Sequence, residues 1–600
     1  MRTYFFSKDK QLPLNLTCSI SFNDWHFYYN EYPDLLVLFK SDKYLLIIDG
    51  LITKNKKTID CDELVTQIDS GKYLGSEYNG QFNIILVKKE SIFILTDLIN
   101  INKIYYTIQR GFLELSNNLN LFNSPSLERK GLKMTNLDYI GLFQLLTPTY
   151  TNLFERTPLL GIKCLLNGIF LQYSNDTMEL KILDKDSINL GKKNPNTKEI
   201  QKKLSENIEL YTNFFSRFLL PISGGVDSRI TLYSALAIKD KCQITSFTHG
   251  EEDDIEVKIA KKVTNKLGIP HFRLSIRSLY PNLDILSNIL LTGLNLLLGK
   301  WIPVIEYLNS DKVDSKSIIL IGDVLDLLRA KNIKSIRSRK NRVLIQLGFK
   351  KIQPNNYSVK QAIEKINYEY IVSFKQAIKL YPKLFNLSGI QTEDLIKISL
   401  KDIENTHIHI LSLYNPDDGY QYEEVFNLFV WGRGSMGNQA RFINQNIPCY
   451  VISANRNYVK YVLNISQFLR FEDKLVHQIL KNTKLAKFPT NQIPFLPYSY
   501  PLLLKYVFWA MRSYIDQLIM KFAKKYKWKK SRLIKTENWQ TIYLDSKNKL
   551  NYESYFNGVE EYFEYPITLY RGRAEGTMWA FSEIDLTANI VPSYLMRTNL

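Results

Sequence analysis

Apolar residues along the first 190 positions come in short alternating runs set apart by turn residues: YLLIIDGLI from Tyr44, QFNIILVKK from Gln81, SIFILTDL from Ser91, GFLELSNN from Gly111 and GIFLQYS from Gly168. A period of two over such lengths predicts antiparallel strands. NLGKKNPNTKEIQKKL, from Asn189, then loses apolar content and gathers Gly, Pro, Asn and Lys, which marks a linker near residues 185–198.

Beyond it the period changes. RFLLPI, QITSFTHG, HFRLSI and SIILIGDVLDLL read as strands, with helical segments such as DDIEVKIAKKVTNKLG between them. That alternation predicts a parallel sheet covered by helices, with ligands at the carboxyl ends of the strands. From about residue 375 the pattern is mostly helical, and residues 330–360 form a basic insertion that reads as a solvated helical surface. The fold class expected is therefore α/β and α+β in two domains, an N-terminal antiparallel sandwich and a C-terminal parallel α/β sheet with a helical extension. The divisions fall at 1–190, 196–500 and 501–600.

Six hundred residues exceed what one core usually holds, and 45% apolar with 13% aromatic residues supplies ample core material. Cys18, Cys61, Cys164, Cys242 and Cys449 are scattered singly without a CxxC pair, which argues against a disulfide framework or a zinc site. A cytoplasmic location is the simplest expectation. The start MRTYFFSKDKQ lacks the apolar stretch of a signal peptide. A formal charge of +19 raises nucleic acid as a partner, yet the lysines are dispersed and no reading module accompanies them, so none is expected.

One stretch carries chemistry. In LLPISGGVDSRITL, from Leu219, an apolar run leads into Ser223, Gly224, Gly225, Val226, Asp227 and Ser228, after which apolar residues return at helical spacing. Strand, tight glycine loop, helix is the reading. Unpaired N–H groups at a helix start attract negative charge, and glycines let a phosphate approach the main chain. Asp227 beside phosphate implies a divalent cation between them, which we take as magnesium. The loop is neither GxxxxGK-S/T nor GxGxxG.

These residues resemble the asparagine synthetase-like amide-forming ligases, whose ATP-pyrophosphatase loop reads SGGxDS. The likeness covers most of residues 40–500. After SGGVDSR at Ser223 come TSFTHG at Thr245, where the family has its adenine-contacting strand with Phe247, and LIGDVLDLL at Leu320, similar to the family's G-E/Y-G-x-D motif. Gly322, Asp323 and Asp326 match it in position, and Val324 replaces a glycine. The resemblance implies ATP on Ser223, Gly224, Gly225, Asp227, Ser228, Phe247 and Gly322, magnesium on Asp227 and Asp326, and Asp323 as base for an incoming amine. For Asp323 and Asp326 a helix N-cap after a strand is the plain alternative.

The N-terminal half is similar to the family's glutaminase (Ntn-type) domain through IIDGLI, YNGQFNIILV, LTDLININKIYYT and FERTPLLGIKCLLNGIFL. It departs at the catalytic cysteine: the chain reads Met1-Arg2-Thr3 and has no cysteine before Cys18. Glutamine hydrolysis is expected to be absent, as in β-lactam synthetases, lasso-peptide cyclases and the asparagine synthase-like proteins of surface-polysaccharide clusters. At the closing RxKxGF motif this chain has Gln492 in the lysine position, and Lys487 is the substitute candidate.

The function implied is ATP-dependent amide formation through an acyl-adenylate. The partners it implies are a small-molecule, sugar or peptide carboxylate and an amine donor, with surface-polysaccharide biosynthesis as one setting the resemblance offers. The alternatives are a lasso-type macrocyclase and a non-catalytic ATP-binding scaffold. His249 and His271 lie on strand ends near the nucleotide, His407 and His409 alternate as on a strand face, and Glu423 and Glu424 fall where some relatives hold a second acid. The helical run from Leu502 to Lys535 ends in dense lysine, and reads either as a core helix with a basic turn or as a peripheral contact with an anionic membrane. Oligomeric state is not legible.

Overall fold

The computed structural model describes residues 3–518 with breaks, the larger ones at 9–15, 124–137, 276–300, 308–315, 331–343 and 346–355. The chain builds two domains, antiparallel sheets followed by a parallel sheet with helices.

One N-terminal sheet runs in the order Lys163–Cys164, Tyr105–Gln109, Phe112–Ser116, Tyr4–Ser7, Trp25–Tyr29, Cys18–Phe22. The other runs Leu180–Lys185, Ile169–Ser174, Ser91–Thr96, Tyr78–Val87, Leu45–Lys54, Leu36–Lys40. Every strand pair in both is antiparallel, as the alternating pattern predicts. Leu45 and Ile47 enter the main core with Tyr4, Phe6 and Leu113, while Leu46 and Ile48 face a second core with Leu64, Val65 and Ile68. The last three belong to the helix Cys61–Asp69, whose cap Asp60 accepts hydrogen bonds from the N–H groups of Asp62 and Glu63. That helix covers the outer face, so strand Leu45–Lys54 is buried on both sides instead of one.

Two glycines make the central pairing of that sheet possible. A Cβ on Gly50 would fall 2.2 Å from the Gln81 carbonyl oxygen, and one on Gly80 2.0 Å from that of Leu51, with φ of 122° and 142°. Only glycine supplies this conformation without strain.

The C-terminal sheet is parallel throughout, ordered His271–Leu274, Ile244–His249, Arg217–Pro221, Ser317–Ile321, Cys449–Val451. The chain therefore starts in the middle, winds outward through two strands, and returns to wind the other way. The reversal lies between Arg217–Pro221 and Ser317–Ile321, and the crevice beyond the carboxyl ends of such a strand pair is where open α/β sheets take ligands. Ser223 and Gly322 stand one or two residues past those ends.

Helices Val359–Leu380, Thr392–Leu413 and Gly419–Asn427 follow. His407 and His409 lie within the second of these, not on a strand; their alternation is an accident of an apolar helix that is buried on several sides. The segment around residue 188 is more than a linker: Ile188–Asn189 pairs in parallel with Tyr414–Asn415, and buried Asp186 receives both Nε and Nη2 of Arg456 at 2.6 and 2.9 Å. Most of the basic stretch at 330–360 and all of 519–600 lie outside the described residues. Within 502–518, Leu503, Val507, Met511 and Tyr514 stay exposed, so this part of the helical run does not bury its apolar face. No helix among the described residues is long and apolar enough to cross a membrane.

Candidate functional site

Phe218, Leu219 and Leu220 anchor the central strand in the core. Past it, the Ile222 N–H donates to the Phe247 carbonyl at 2.8 Å and the Thr248 hydroxyl donates to the Ile222 carbonyl, which fixes the chain up to Ser223. Gly225 then caps helix Val226–Leu236 with extended backbone and without a side-chain hydrogen bond. The first N–H groups of this helix are therefore open to a ligand from the side of the loop.

The two serines close the loop on itself. The Ser223 N–H donates to Ser228 Oγ at 3.2 Å, the two hydroxyls are 3.3 Å apart, and the Gly225 N–H donates to Ser223 Oγ at 3.0 Å. Ser223, Gly224, Gly225, Asp227 and Ser228 thus form one compact cradle. Gly322 adjoins it: a Cβ there would meet Thr231 Oγ1 at 2.7 Å and the Asp227 carbonyl oxygen at 3.3 Å. Asp323 sits at the same strand end, its carbonyl accepting from the Ser453 hydroxyl.

The aspartate of the loop is already engaged. Arg329, at the end of the 3₁₀ turn Leu325–Arg329, donates through Nη1 to both carboxylate oxygens of Asp227, at 3.0 and 3.3 Å. Its Nε and Nη2 reach Asp473, the latter at 3.0 Å. The guanidinium is 4% exposed and the Asp227 carboxylate 33%. Asp473 holds a left-handed φ of 65°, a conformation that a non-glycine residue adopts only where its surroundings fix it. The side chain of Asp326 lies outside the described residues. Asp227 is thus bound by Arg329, and no group of three potential metal ligands occurs among the described residues.

A second arginine ties the cradle to the end of the domain. Arg229 is fully buried, and its guanidinium donates to the carbonyls of Phe488, at 2.9 Å, and of Pro489. The Asn491 N–H donates to the Gly224 carbonyl at 3.0 Å. Burial pushes the Arg229 pKa down to about 10. Burial, and to a lesser degree the charge of Asp227, raises the pKa of Tyr458 and Tyr498, and neither hydroxyl has a hydrogen-bond partner among the described residues. Lys505, 6% exposed, donates to the Tyr498 carbonyl at 2.9 Å, and burial brings its pKa down to about 7.

Several expected residues stand elsewhere. Lys487 is exposed on the 3₁₀ turn Lys484–Lys487 and among the described residues makes no hydrogen bond or ion pair to the loop, which Arg229 and Arg329 do contact. Gln492 lies outside the described residues. The Phe247 ring is buried against Phe272 and Trp301, which leaves its backbone as the part nearest the loop. His271 is at the entry end of its strand, bonded to Ser246 Oγ at 2.9 Å, the wrong end for a ligand. His249 is at the exit end, its ring 5.0 Å from that of Trp301. Glu423 accepts from Tyr357 and Lys365, and Glu424 is bound by both Nη atoms of buried Arg470; both acids are structural. Of the residues the sequence reading passed over, Arg229 was visible in SGGVDSR itself, whereas Arg329, Asp473 and Lys505 carry no local signal.

The family model of the queuosine biosynthesis protein QueC matches residues 217–293, which begin with the central strand and the cradle. Two curated 7-cyano-7-deazaguanine synthases of Leptospira interrogans, from serovar copenhageni (strain Fiocruz L1-130) and serovar Lai (strain 56601), are each 46% identical over 68 residues. The match covers 11% of this chain and 27% of theirs. Among solved structures, the allosteric regulatory enzyme of purine biosynthesis aligns over 46% of this chain and 74% of its own at 6% identity and a TM-score of 0.17. Glutamine phosphoribosylpyrophosphate amidotransferase from B. subtilis, complexed with ADP and GMP, aligns over 57% and 73% at 8% identity and a TM-score of 0.16. Scores of this size do not speak to function.

Proposed function

We propose that the chain is an ATP-dependent enzyme that activates a carboxylate as an acyl-adenylate and joins it to an amine, in the manner of the asparagine synthetase-like ligases. The observation that carries this reading is the Ser223–Ser228 cradle, set at the carboxyl end of the central strand, at the reversal of the sheet, within the QueC-like segment. Phosphate groups of ATP would lie on the open N–H groups of the loop and helix start, with the Ser223 and Ser228 hydroxyls as further donors.

In the first step a substrate carboxylate oxygen attacks the α-phosphorus and pyrophosphate leaves. The amine nitrogen then attacks the acyl carbon, a proton passes to a base, for which Asp323 is the candidate, and AMP leaves. The loop contributes position and charge neutralisation. Arg329, held between Asp227 and Asp473, keeps the aspartate of the loop from repelling the phosphates, and no step is routed through magnesium. The identity of the carboxylate and amine, whether sugar, peptide or small molecule, rests on analogy alone.

A second reading, a nucleotide-binding scaffold without turnover, is favoured by the exposure of Lys487 and the engagement of Asp227. Pyrophosphate and AMP release from ATP with pooled candidate carboxylates separates the two, with nucleotide binding measured in parallel. Release that disappears in Asp227→Asn establishes the ligase; binding without release supports the scaffold; absence of ATP binding sinks both.

A further inference from the structure

The glycine-rich stretch WGRGSMGNQAR, from Trp431, forms the π-helix Leu428–Met436 and the start of helix Gly437–Asn444. Wide turns of this kind are rare and gather at functional sites. The glycines let it lie hard against the N-terminal domain: a Cβ on Gly434 would overlap Thr151 Oγ1 at 1.6 Å, and one on Gly432 would stand 3.2 Å from Ile99. At this seam three cations are buried together, Lys103 at 8% exposure, Arg433 at 3% and Arg441 at 4%.

Their contacts run in parallel from one short stretch to one helix face. Lys103 Nζ donates to Asn438 Oδ1 at 3.1 Å, and Arg441 Nη1 donates to the hydroxyl of Tyr105 at 2.8 Å. Asn438 and Arg441 are three apart on a helix and Lys103 and Tyr105 two apart on the chain, so the ammonium and the guanidinium sit side by side. Arg433 backs them, with its Nη atoms on the carbonyls of Phe154, Cys164 and Leu165. Burial, then Arg441, then Arg433 push the Lys103 pKa well down.

Among the described residues no carboxylate forms an ion pair with any of the three, and Nε and Nη2 of Arg441 have no hydrogen-bond partner. Two other buried arginines are matched by carboxylates, Arg456 by Asp186 and Arg470 by Glu424, while Arg229 is held by main-chain carbonyls. A buried cation without a counter-charge costs several kcal/mol, and proteins normally pair it. We infer that Lys103 and Arg441, backed by Arg433, form a site for a compact oxyanion, the phosphoryl or carboxylate group of a small molecule, at the seam of the two domains. Two free guanidinium N–H groups and the remaining ammonium donors suit the paired oxygens of such a group. The site is separate from the Ser223–Ser228 cradle and does not depend on the reading proposed for it.

The test is the melting temperature of the full chain titrated with inorganic phosphate and, separately, with glutamate, against chloride at equal ionic strength. A saturable rise with one of the two identifies the oxyanion as phosphoryl or carboxylate. The rise is expected to vanish in Lys103→Met, to need about tenfold more ligand or beyond in Arg441→Gln, and to persist in Ser223→Ala. Because Lys103→Met removes a buried charge, it should melt no lower than wild type without ligand, which separates lost binding from lost folding. The inference is overturned if neither anion acts beyond chloride, if the response survives Lys103→Met, or if it disappears in Ser223→Ala and so belongs to the cradle.

Discussion

Arg229 and Phe488 stand 259 positions apart in the chain and are joined by a 2.9 Å hydrogen bond from a fully buried guanidinium to a main-chain carbonyl. Through it the helix that opens the nucleotide cradle holds the segment that closes the domain. Removing the guanidinium takes a donor from the Pro489 carbonyl and leaves the Phe488 carbonyl with the Tyr498 N–H alone, at 3.1 Å. With one buried acceptor losing its arginine donor, Arg229→Met is expected to lose about 1–3 kcal/mol of stability in denaturant titration. ATP affinity should fall with it, since Asn491 would no longer be pressed to Gly224.

The glycines of the cradle should separate by what surrounds them. Gly225 has an ordinary φ of −74°, and a Cβ there meets only Ser223 Oγ, at 3.0 Å. Gly225→Ala should fold with a change below about 1 kcal/mol but displace the serine hydroxyl, so that nucleotide binding weakens more than stability. Gly322→Ala drives its methyl against Thr231 Oγ1 and Leu325 and should cost about 1–3 kcal/mol in the same titration. A fold that tolerates Gly322→Ala better than Gly225→Ala would show that the two strand ends are not packed as described.

Acid should destabilise the protein well before its surface carboxylates protonate. Burial holds His271 and His407 down to about 4 and His409 to about 3, against an ordinary 6.5. The unfolded chain then binds more protons than the folded one between about pH 6.5 and each folded value, so stability falls as pH drops through that window. Asp97, which burial raises to about 6, works in the opposite sense over part of the range. His409 donates from Nε2 to the Asn167 carbonyl at 3.1 Å, a contact that glutamine can keep. Each proton is worth about 1.4 kcal/mol per pH unit, so the stability difference between wild type and His409→Gln should shift by about that amount per unit between pH 6 and 4, in favour of the variant on acidification. Parallel pH curves would mean that His409 titrates normally.

The sequence was most legible where chemistry and backbone coincide. The SGGVDS loop needs a strand before it, glycines within it and a helix after it, and all three requirements leave local marks, as does the change from period two to alternating strands and helices. Less could be read where burial decides. Nothing in the sequence says which element covers the outer face of strand Leu45–Lys54, a part played by helix Cys61–Asp69, and His407 and His409 imitate a strand because helix Thr392–Leu413 is packed on several sides. The partners of Asp227 could not be read at all. Arg329 lies 102 positions away and Asp473 a further 144, and nothing in LDLLRA or RFEDK announces that they meet.

That meeting sets the behaviour of the cradle toward divalent cations. Asp227 gives its charge to Arg329, whose other edge is fixed by Asp473, so a metal ion would have to displace a guanidinium held between two carboxylates. Millimolar magnesium is accordingly expected to leave the melting temperature of the ligand-free wild-type protein unchanged. Arg329→Met takes the guanidinium from between the two carboxylates, which are 33% and 13% exposed. Losing one partner of a largely buried pair costs up to about 3–5 kcal/mol, and carboxylates relieved of a guanidinium are what a hard cation binds. The variant should therefore melt well below wild type and recover part of the loss as magnesium is added. Recovery in Arg329→Met with none in wild type would identify Arg329 as the built-in counter-charge of the loop. If magnesium instead stabilises wild type and variant alike, the cation is held by other residues, and Arg329 is only a strut between Asp227 and Asp473.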